Sequence, residues 1–339
     1  MRPTSLFGSP FALTALSLAS LSCVAGCPAP VVTVDAATVV DTNSVGRDVG
    51  PIFSVTFPVA STGETGMGAP AFTCRGNATA PVGGAPIAST FHLTVFGGLR
   101  GRPSAGTRVQ LFRDNVITPT CTAPNCQEFT TDAMGQAPAM TLASGWFAYR
   151  VFRNVSGGTD ATRYTDSVQY NKPSPAVAGG TAEGSAITLA TINLIPLSLG
   201  LEREPNTTIL AGRVQDCTGT DVGGAVIRAF RPDGSEIIEA APDVSTGVHY
   251  RYFRRLGTES RPSNDQETTN FEGLYSAINI PVLPGRIRVE AWLKPSAGDG
   301  PVLAGCESIQ VLPDGVSTIS IGGLRNDYAT EDPCSIYNP

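Results

Sequence analysis

Histidine, cysteine, serine and carboxylate side chains build most catalytic and metal sites, and the chain has few suitable arrangements of them. It contains only two histidines, His92 and His249, and neither lies in a motif with a second metal ligand. No Gly-x-Ser-x-Gly nucleophile motif and no phosphate-binding glycine loop occurs. The carboxylates, such as Asp233 and Glu236, are scattered over predicted turns, which is typical of solvated loops. The sequence therefore predicts no enzymatic activity, no cofactor and no metal site.

One segment, residues 249–255 with the sequence HYRYFRR, alternates cationic and aromatic side chains in a chain of net charge −6. Aromatic rings stack and arginines make charge-assisted hydrogen bonds, so the pattern indicates a surface for an anionic glycan, a peptide or lipid headgroups. The predicted ligand-binding residues are Tyr250, Arg251, Tyr252, Arg254 and Arg255. The alternative is an ordinary strand in which Tyr250, Tyr252 and Arg254 face water and the residues between them line a half-buried face.

The N-terminus has the features of a targeting segment. Arg2 precedes an apolar stretch at residues 11–21, and small residues follow. The sequence Val24-Ala25-Gly26-Cys27 resembles the lipobox of bacterial lipoproteins. This resemblance implies cleavage before Cys27, diacylation of its sulfur and acylation of the new amino group. A second site at residues 20–23 fits less well, because serine stands three positions before its cysteine. An ordinary secretory signal is the other alternative.

Lipidation would anchor the mature protein without a membrane-spanning segment, because each buried methylene contributes about 0.8 kcal/mol. No other stretch reaches the roughly 18 apolar residues that a spanning helix needs. The sequence thus predicts a protein of the bacterial cell envelope, anchored by lipid and in the outer membrane rather than the inner one. Plain secretion is the alternative. The net charge of −6 argues against nucleic acid as a partner.

Of the eight cysteines, two belong to the predicted signal and lipidation site and six remain in the mature body. Removing Cys23 with the signal peptide and Cys27 with the lipid leaves Cys74, Cys121, Cys126, Cys217, Cys306 and Cys334. An even remainder fits disulfide bonds in an oxidising compartment, although the connectivity stays open. The short loop between Cys121 and Cys126 makes them the favoured pair. A zinc site is the competing interpretation, but the chain lacks a second close cysteine pair.

From residue 53 onward, short β-branched or alternating apolar runs are separated by turn residues, and no sustained helical periodicity occurs. The predicted strands include Phe53–Val59, Thr90–Phe96, Val109–Phe112, Trp146–Phe152 and Ile187–Leu197. Such spacing favours an all-β fold of antiparallel β-sandwiches of the transthyretin-like or immunoglobulin-like kind.

An internal repeat indicates two tandem copies of one unit. Residues 105–113 (AGTRVQLFR) align with residues 223–231 (GGAVIRAFR). Two further pairs follow in the same order, in which 130–135 aligns with 268–273 and 145–152 with 285–292. The second copy carries about twenty extra residues between its first two aligned segments.

The second copy resembles the carboxypeptidase regulatory-like domain, a transthyretin-like β-sandwich. The resemblance is carried by residues 211–230 with a Gly-containing turn at 216–219, by Thr-Asn-Phe-Glu-Gly-Leu-Tyr at 269–275, and by Leu-Pro-Gly at 283–285 before an alternating strand. In enzymes that contain this domain it accompanies a catalytic domain and holds no catalytic group. The resemblance therefore implies a non-catalytic module.

The first copy departs from this pattern, since Ser144 and Ala137 stand where the second copy has Pro284 and Tyr275. The predicted organisation is a signal peptide (1–26), a lipidated cysteine with a flexible tether (27–52), a first β-sandwich (53–203), a second β-sandwich (204–325) and a tail (326–339). The predicted function is a non-catalytic binding or structural module at the cell surface, with a glycan or a protein as ligand. The alternative is an accessory subunit that presents its sandwiches to a carbohydrate-active enzyme or a peptidase.

Overall fold

The computed structural model describes residues 55–63, 68–72, 87–96, 101–113, 117–118, 120–137, 140–142, 146–154, 163–257 and 259–322. Within these ranges the fold is all-β, with seventeen strands and one short helix. The predicted fold class is confirmed.

The first copy of the repeat is a sandwich of two sheets. Its strands are β2 (Ile87–Phe96), β3 (Arg108–Phe112), β4 (Cys126–Thr130), β5 (Met140–Leu142), β6 (Trp146–Val151), β7 (Ser167–Pro173) and β8 (Gly180–Ile187), preceded by the short strand β1 (Ser61–Thr62). One sheet has the order β5-β2-β8, and the other contains β7-β6-β3-β4. Alternate residues of the strands fill the space between the sheets, as expected from their period of two. Phe91 of β2 meets Tyr149 of β6 edge to face, with ring centroids 5.2 Å apart.

The second copy is built in the same way. Its strands are β9 (Thr207–Val214), β10 (Val222–Gly223), β11 (Val226–Phe230), β12 (His249–Leu256), β13 (Glu259–Ser263), β14 (Leu274–Pro281), β15 (Ile287–Leu293), β16 (Val302–Ile309) and β17 (Val316–Ile321). One sheet has the order β11-β15-β16, and the other contains β13-β12-β14-β9-β17. Ile287, Val289 and Ala291 alternate into the core and are fully buried.

The two sandwiches are joined through a shared sheet. Strand β17 pairs in parallel with β7, with Val316 opposite Ser167, which makes one continuous sheet of nine strands. Strands β3, β6 and β7 of this sheet are largely buried on both faces. Leu111 and Tyr149 pack inside the first sandwich, whereas Phe112 and Ala148 belong to the apolar core of the second. Burial on both faces explains why β3 and β6 are apolar without strict alternation.

The backbone pairing reproduces the sequence repeat. In the first copy Val109 pairs with Val151 and Leu111 with Tyr149 across β3 and β6. The aligned positions of the second copy pair in the same register across β11 and β15, where Ile227 lies opposite Ala291 and Ala229 opposite Val289. The repeat predicted from the sequence is therefore also a repeat of strand register.

A buried threonine makes the same hydrogen bonds in both copies. Thr131 Oγ1 accepts from Thr107 N at 2.9 Å and donates to Ser104 O at 2.5 Å. The aligned Thr269 Oγ1 accepts from Ala225 N and donates to Val222 O, both at 2.9 Å. Each threonine thus satisfies one buried donor and one buried acceptor at the start of the turn that follows it.

Two strand predictions are wrong in part. Residues 189–197 of the predicted strand Ile187–Leu197 lie in helix α1 (Leu189–Ser198). The helix begins after Thr188, whose side chain accepts from Thr191 N. A short apolar run does not distinguish a strand from a buried helix, and here the N-cap decides. In the predicted strand Phe53–Val59, residues 55–58 are not in a strand, and Val59 makes a single bridge to Lys294. The other predicted strands are confirmed within three residues at each end.

Candidate functional site

The candidate ligand-binding segment is strand β12, which with β13 forms a hairpin in the part of the second copy that has no counterpart in the first. Strand β12 also pairs with β14, so the hairpin extends the nine-stranded sheet at its edge. Beyond Tyr252, β12 is paired with β13 and not with β14, and this end of the hairpin carries Arg254 and Arg255.

The two predicted tyrosines point into the sandwich. Tyr250 Oη donates to Ile237 O at 2.9 Å and accepts from Ala229 N at 3.2 Å. Tyr252 Oη accepts from Ile227 N at 2.9 Å. Burial raises the pKa of both hydroxyls above the ordinary tyrosine value. The alternative interpretation of this strand is wrong for Tyr250 and Tyr252, because their hydroxyls accept from the N–H groups of Ala229 and Ile227 in β11. It is confirmed for Arg254, which is exposed.

Arg251 lies on the opposite face of β12 and is buried among polar partners. Its Nη1 is 2.6 Å from Glu239 Oε1, and its Nε donates to Asn264 Oδ1 at 3.0 Å. Its Nη2 is 3.0 Å from His249 Nδ1, and His249 Nε2 is 3.0 Å from Thr246 O. Burial lowers the pKa of His249, and the adjacent Arg251 charge lowers it further. These contacts hold the hairpin on the sandwich.

The remaining two predicted residues are closer to solvent. Arg254 is exposed. Arg255 Nη1 is 2.6 Å from Glu272 Oε1, and its Nε donates to Gly257 O at 2.8 Å. Its guanidinium lies 5.1 Å from the centre of the Phe271 ring. The binding role assigned to Tyr250, Arg251, Tyr252, Arg254 and Arg255 stays a prediction, and Arg255 is the member that borders a depression in the surface.

This depression is open and has a volume of about 340 Å³. Its lining contains two ion pairs: Arg255 with Glu272, and Arg213 with Asp221, whose Nη1 and Oδ2 are 2.5 Å apart. The side chain of Arg213 is 48% exposed and that of Asp221 is 21% exposed, so both retain contact with solvent. Phe271 contributes an aromatic surface. We call this set of five residues the Phe271 groove.

The turn that carries Phe271 is held by its neighbours in the chain. Asn270 Oδ1 accepts from Glu272 N at 3.1 Å, and Asn270 O accepts from Gly273 N at 2.8 Å. Gly273 has φ of +66°, and a Cβ atom there would lie 2.4 Å from Val214 O. Glycine is therefore required at this position both for conformation and for space.

The inserted hairpin also hydrogen-bonds to the turn that carries Phe271. Ser260 Oγ of β13 bonds Glu272 Oε2 and also accepts from Asn270 Nδ2 at 3.2 Å. Phe271 borders a second depression of about 380 Å³, whose polar lining includes Gln266, Thr268 and Asn270. Phe271 thus lines both depressions.

The aligned turn of the first copy has the same backbone but different side chains. Asp132 Oδ1 accepts from Met134 N at 2.8 Å, as Asn270 does from Glu272. Ala133 and Met134 stand where the second copy has Phe271 and Glu272. The sequence pattern did not indicate a binding role for Arg213, Asp221, Phe271 or Glu272. The signal that could have found the last two is this difference between repeats within a shared turn.

The cysteines agree with an oxidising compartment. Cys121 and Cys126 form a disulfide with their Cα atoms 5.0 Å apart, which confirms the predicted pair. Cys217 and Cys306 are also disulfide-bonded. The remaining candidates Cys74 and Cys334, and the predicted lipidation site Cys27, lie outside the described residues.

No cluster of metal-ligating side chains occurs among the described residues. In that same part of the chain, no helix is long and apolar enough to cross a membrane.

No protein-family model and no curated protein matches the chain. Among solved structures, it is similar to a streptococcal ancillary pilin at 13% identity, with a TM-score of 0.19, covering 70% of this chain and 68% of that one. It is also similar to the major pilin protein T-13 of Streptococcus pyogenes, at 11% identity and a TM-score of 0.16, covering 71% of this chain and 98% of that one. A third similar structure is a candidate cell adhesion protein of Bacteroides fragilis, at 9% identity and a TM-score of 0.15, covering 70% of this chain and 93% of that one. TM-scores this low do not define a shared fold, so function is argued from the chain's own residues.

Proposed function

We propose that the protein is a non-catalytic lipoprotein of the bacterial cell envelope that acts as a binding or structural module at the cell surface. In this proposal lipid on Cys27 anchors the chain, residues 28–52 form the tether, and the two joined sandwiches are the folded part that binds a partner or has a structural role. The observation that carries the proposal is the continuous nine-stranded sheet, because it joins the two copies of the repeat by backbone pairing.

The compartment is supported by the disulfides. Cys121 with Cys126, together with the disulfide-bonded Cys217 and Cys306, requires an oxidising environment such as the periplasm or the cell surface. In a chain with a net charge of −6, several arginines are engaged internally, as Arg251 is with Glu239 and Arg150 is with Asp166. Such pairing supports a folded module that meets its partner through a limited surface.

The membrane anchor is tested with a pair of cysteine variants. In a bacterial expression host, the wild-type protein and Cys23→Ser are expected in the detergent phase after Triton X-114 partition, and Cys27→Ser in the aqueous phase. Cys23→Ser is the matched control, because Cys23 lies inside the predicted signal peptide and is removed with it. Equal partition of the Cys27→Ser protein and the wild type into one phase would refute lipid anchoring at Cys27.

The surface location is tested separately. Limited proteolysis of intact cells, with a periplasmic protein as the internal control, should degrade the sandwiches of the wild type while the control survives. Protection of both proteins would place the module inside the outer membrane and would contradict a role at the surface.

The accessory-subunit alternative makes a different prediction. A subunit that serves an enzyme should be recovered with a glycoside hydrolase or a peptidase after chemical cross-linking in the source bacterium. Cross-linking through the exposed Arg254 face, with loss in Arg254→Ala, would favour that alternative.

A further inference from the structure

The Phe271 groove has the composition of a ligand site that neither the strand pattern nor the repeat assigns. It combines one aromatic surface with four hydrogen-bonding side chains, of which Arg213 and Asp221 remain partly exposed. Its volume of about 340 Å³ lies within the roughly 300–1,000 Å³ range of small-molecule sites.

The charge of the groove decides which ligand fits it. The two guanidinium groups, on Arg213 and Arg255, are matched by the carboxylates of Asp221 and Glu272 at 2.5 Å and 2.6 Å. An anionic ligand would have to compete with a carboxylate already at contact distance from each arginine. The groove is therefore matched to a neutral ligand, in contrast to the anionic ligands that the arginine-rich sequence of β12 indicates.

A neutral ligand must then use hydrogen bonds and the aromatic surface. The arginine and carboxylate groups of the groove offer donors and acceptors close together, which suits the adjacent hydroxyl groups of a sugar ring. The apolar C–H face of a sugar packs against an aromatic ring such as that of Phe271, and Phe271 lines both depressions. An elongated chain of sugar residues would pass over the ring and reach Asn270 and Gln266 on the far side.

The comparison of the two copies supports a specific role for these residues. Both copies keep the same turn, with a glycine of positive φ at Gly135 and Gly273. Only the second copy adds Phe271 and Glu272, and its inserted hairpin fixes Glu272 through Arg255 and Ser260. Since the first copy makes the turn with alanine and methionine instead, the turn itself does not require an aromatic or an acidic residue.

We infer that the Phe271 groove of the second sandwich binds neutral oligosaccharides, with the ring of Phe271 as the stacking surface and Asp221, Arg213, Arg255 and Glu272 as hydrogen-bonding groups. This inference rests on the proposed function as a binding module, and it names the class of ligand.

The test is calorimetric titration of the purified mature protein with neutral oligosaccharides (β-glucan, mannan and chitin oligomers) and with acidic oligogalacturonate. We expect at least one neutral oligomer to bind, and Phe271→Ala to weaken that binding by about tenfold through lost stacking. Met134→Ala is the matched control, since it changes an exposed residue of the aligned turn in the first copy, and it should leave the affinity unchanged. Unchanged Tm would show that each variant is folded.

A second variant tests the charge argument and does not depend on Phe271. Glu272→Gln keeps the size of the side chain and leaves Arg255 without its carboxylate partner at Glu272. Binding of the neutral oligomer should weaken, and binding of oligogalacturonate should strengthen. The inference is overturned if no oligosaccharide binds, if Phe271→Ala and Met134→Ala bind equally, or if only acidic oligomers or peptides bind the wild type. Partition into detergent does not depend on sugars, so failure here leaves the anchor test of the proposed function intact.

Discussion

Replacing the buried threonine of each copy with valine tests whether the two sandwiches are one structural unit repeated. Valine has nearly the shape of threonine but cannot accept or donate a hydrogen bond. In Thr269→Val the Ala225 N–H loses its acceptor and Val222 O loses its donor. In Thr131→Val the same happens to Thr107 N and Ser104 O.

The expected loss follows from those two bonds. Each net hydrogen bond contributes about 1 kcal/mol, and a buried donor without a partner costs roughly 1–3 kcal/mol. We therefore expect each substitution to lower the free energy of unfolding by about 2–4 kcal/mol. The two losses should be similar, because Thr131 and Thr269 are both nearly fully buried and occupy aligned positions.

The assay is urea-induced unfolding followed by tryptophan fluorescence. Each copy contains one tryptophan, Trp146 in the first and Trp292 in the second, so both sandwiches are observed in one experiment. The control is Thr130→Val at the exposed neighbouring position, for which we expect a change within about 0.5 kcal/mol. A loss below about 0.5 kcal/mol at either buried threonine, with an unchanged m-value, would refute the equivalence of the two turns.

Three further outcomes are expected. Because the pKa of His249 is lowered in the folded protein, the native state binds fewer protons than the unfolded state. The unfolding free energy should therefore fall as the pH drops below about 6.5, and His249→Gln, compared by urea titration at two pH values, should remove that dependence. The double variant Cys121→Ser/Cys126→Ser should lose about 2 kcal/mol, as loop-closure entropy predicts for so short a loop, and equal Tm values for variant and wild type would contradict this. Burial raises the pKa of Asp216, but hydrogen bonds from Ala71, Thr218 and Thr220 outweigh this effect and hold the pKa below the usual value. Asp216→Asn should therefore destabilise the protein at neutral pH, and progressively less as the pH falls below about 4. An equal loss of unfolding free energy at neutral pH and below pH 4 would show that the charge is not involved.

Much of the fold could be predicted from the sequence because its signals are local. Strands such as Val109–Phe112 and Trp146–Phe152 are β-branched or aromatic runs bounded by turn residues, and the structure confirms them within a residue. The repeat could also be recognised in the sequence, because its turns need glycine at positions of positive φ, such as Gly135 and Gly273. The helix at 189–198 was missed because its apolar residues show no helical period, and the cap at Thr188 is its clearest mark.

The pairing of β17 with β7 could not be predicted, because a parallel contact between strands so far apart in sequence leaves no local pattern. The same reason applies to the site. Tyr250 and Tyr252 alternate as residues of a strand should, but the sequence does not say which face meets the core. Arg213 and Asp221 approach Arg255 and Glu272 only after β14 has paired with both β9 and β12, so their contact is a property of the tertiary fold.

The lipid anchor is the central claim, and mass spectrometry of the mature N-terminus tests it most directly. Membrane protein from the source bacterium would be digested with trypsin, which should release an N-terminal peptide that ends at Arg47. The prediction is that this peptide begins at Cys27 and carries the mass of a diacylglyceryl group and an amide-linked acyl chain. A peptide that begins elsewhere, or an unmodified Cys27, would contradict the lipid anchor.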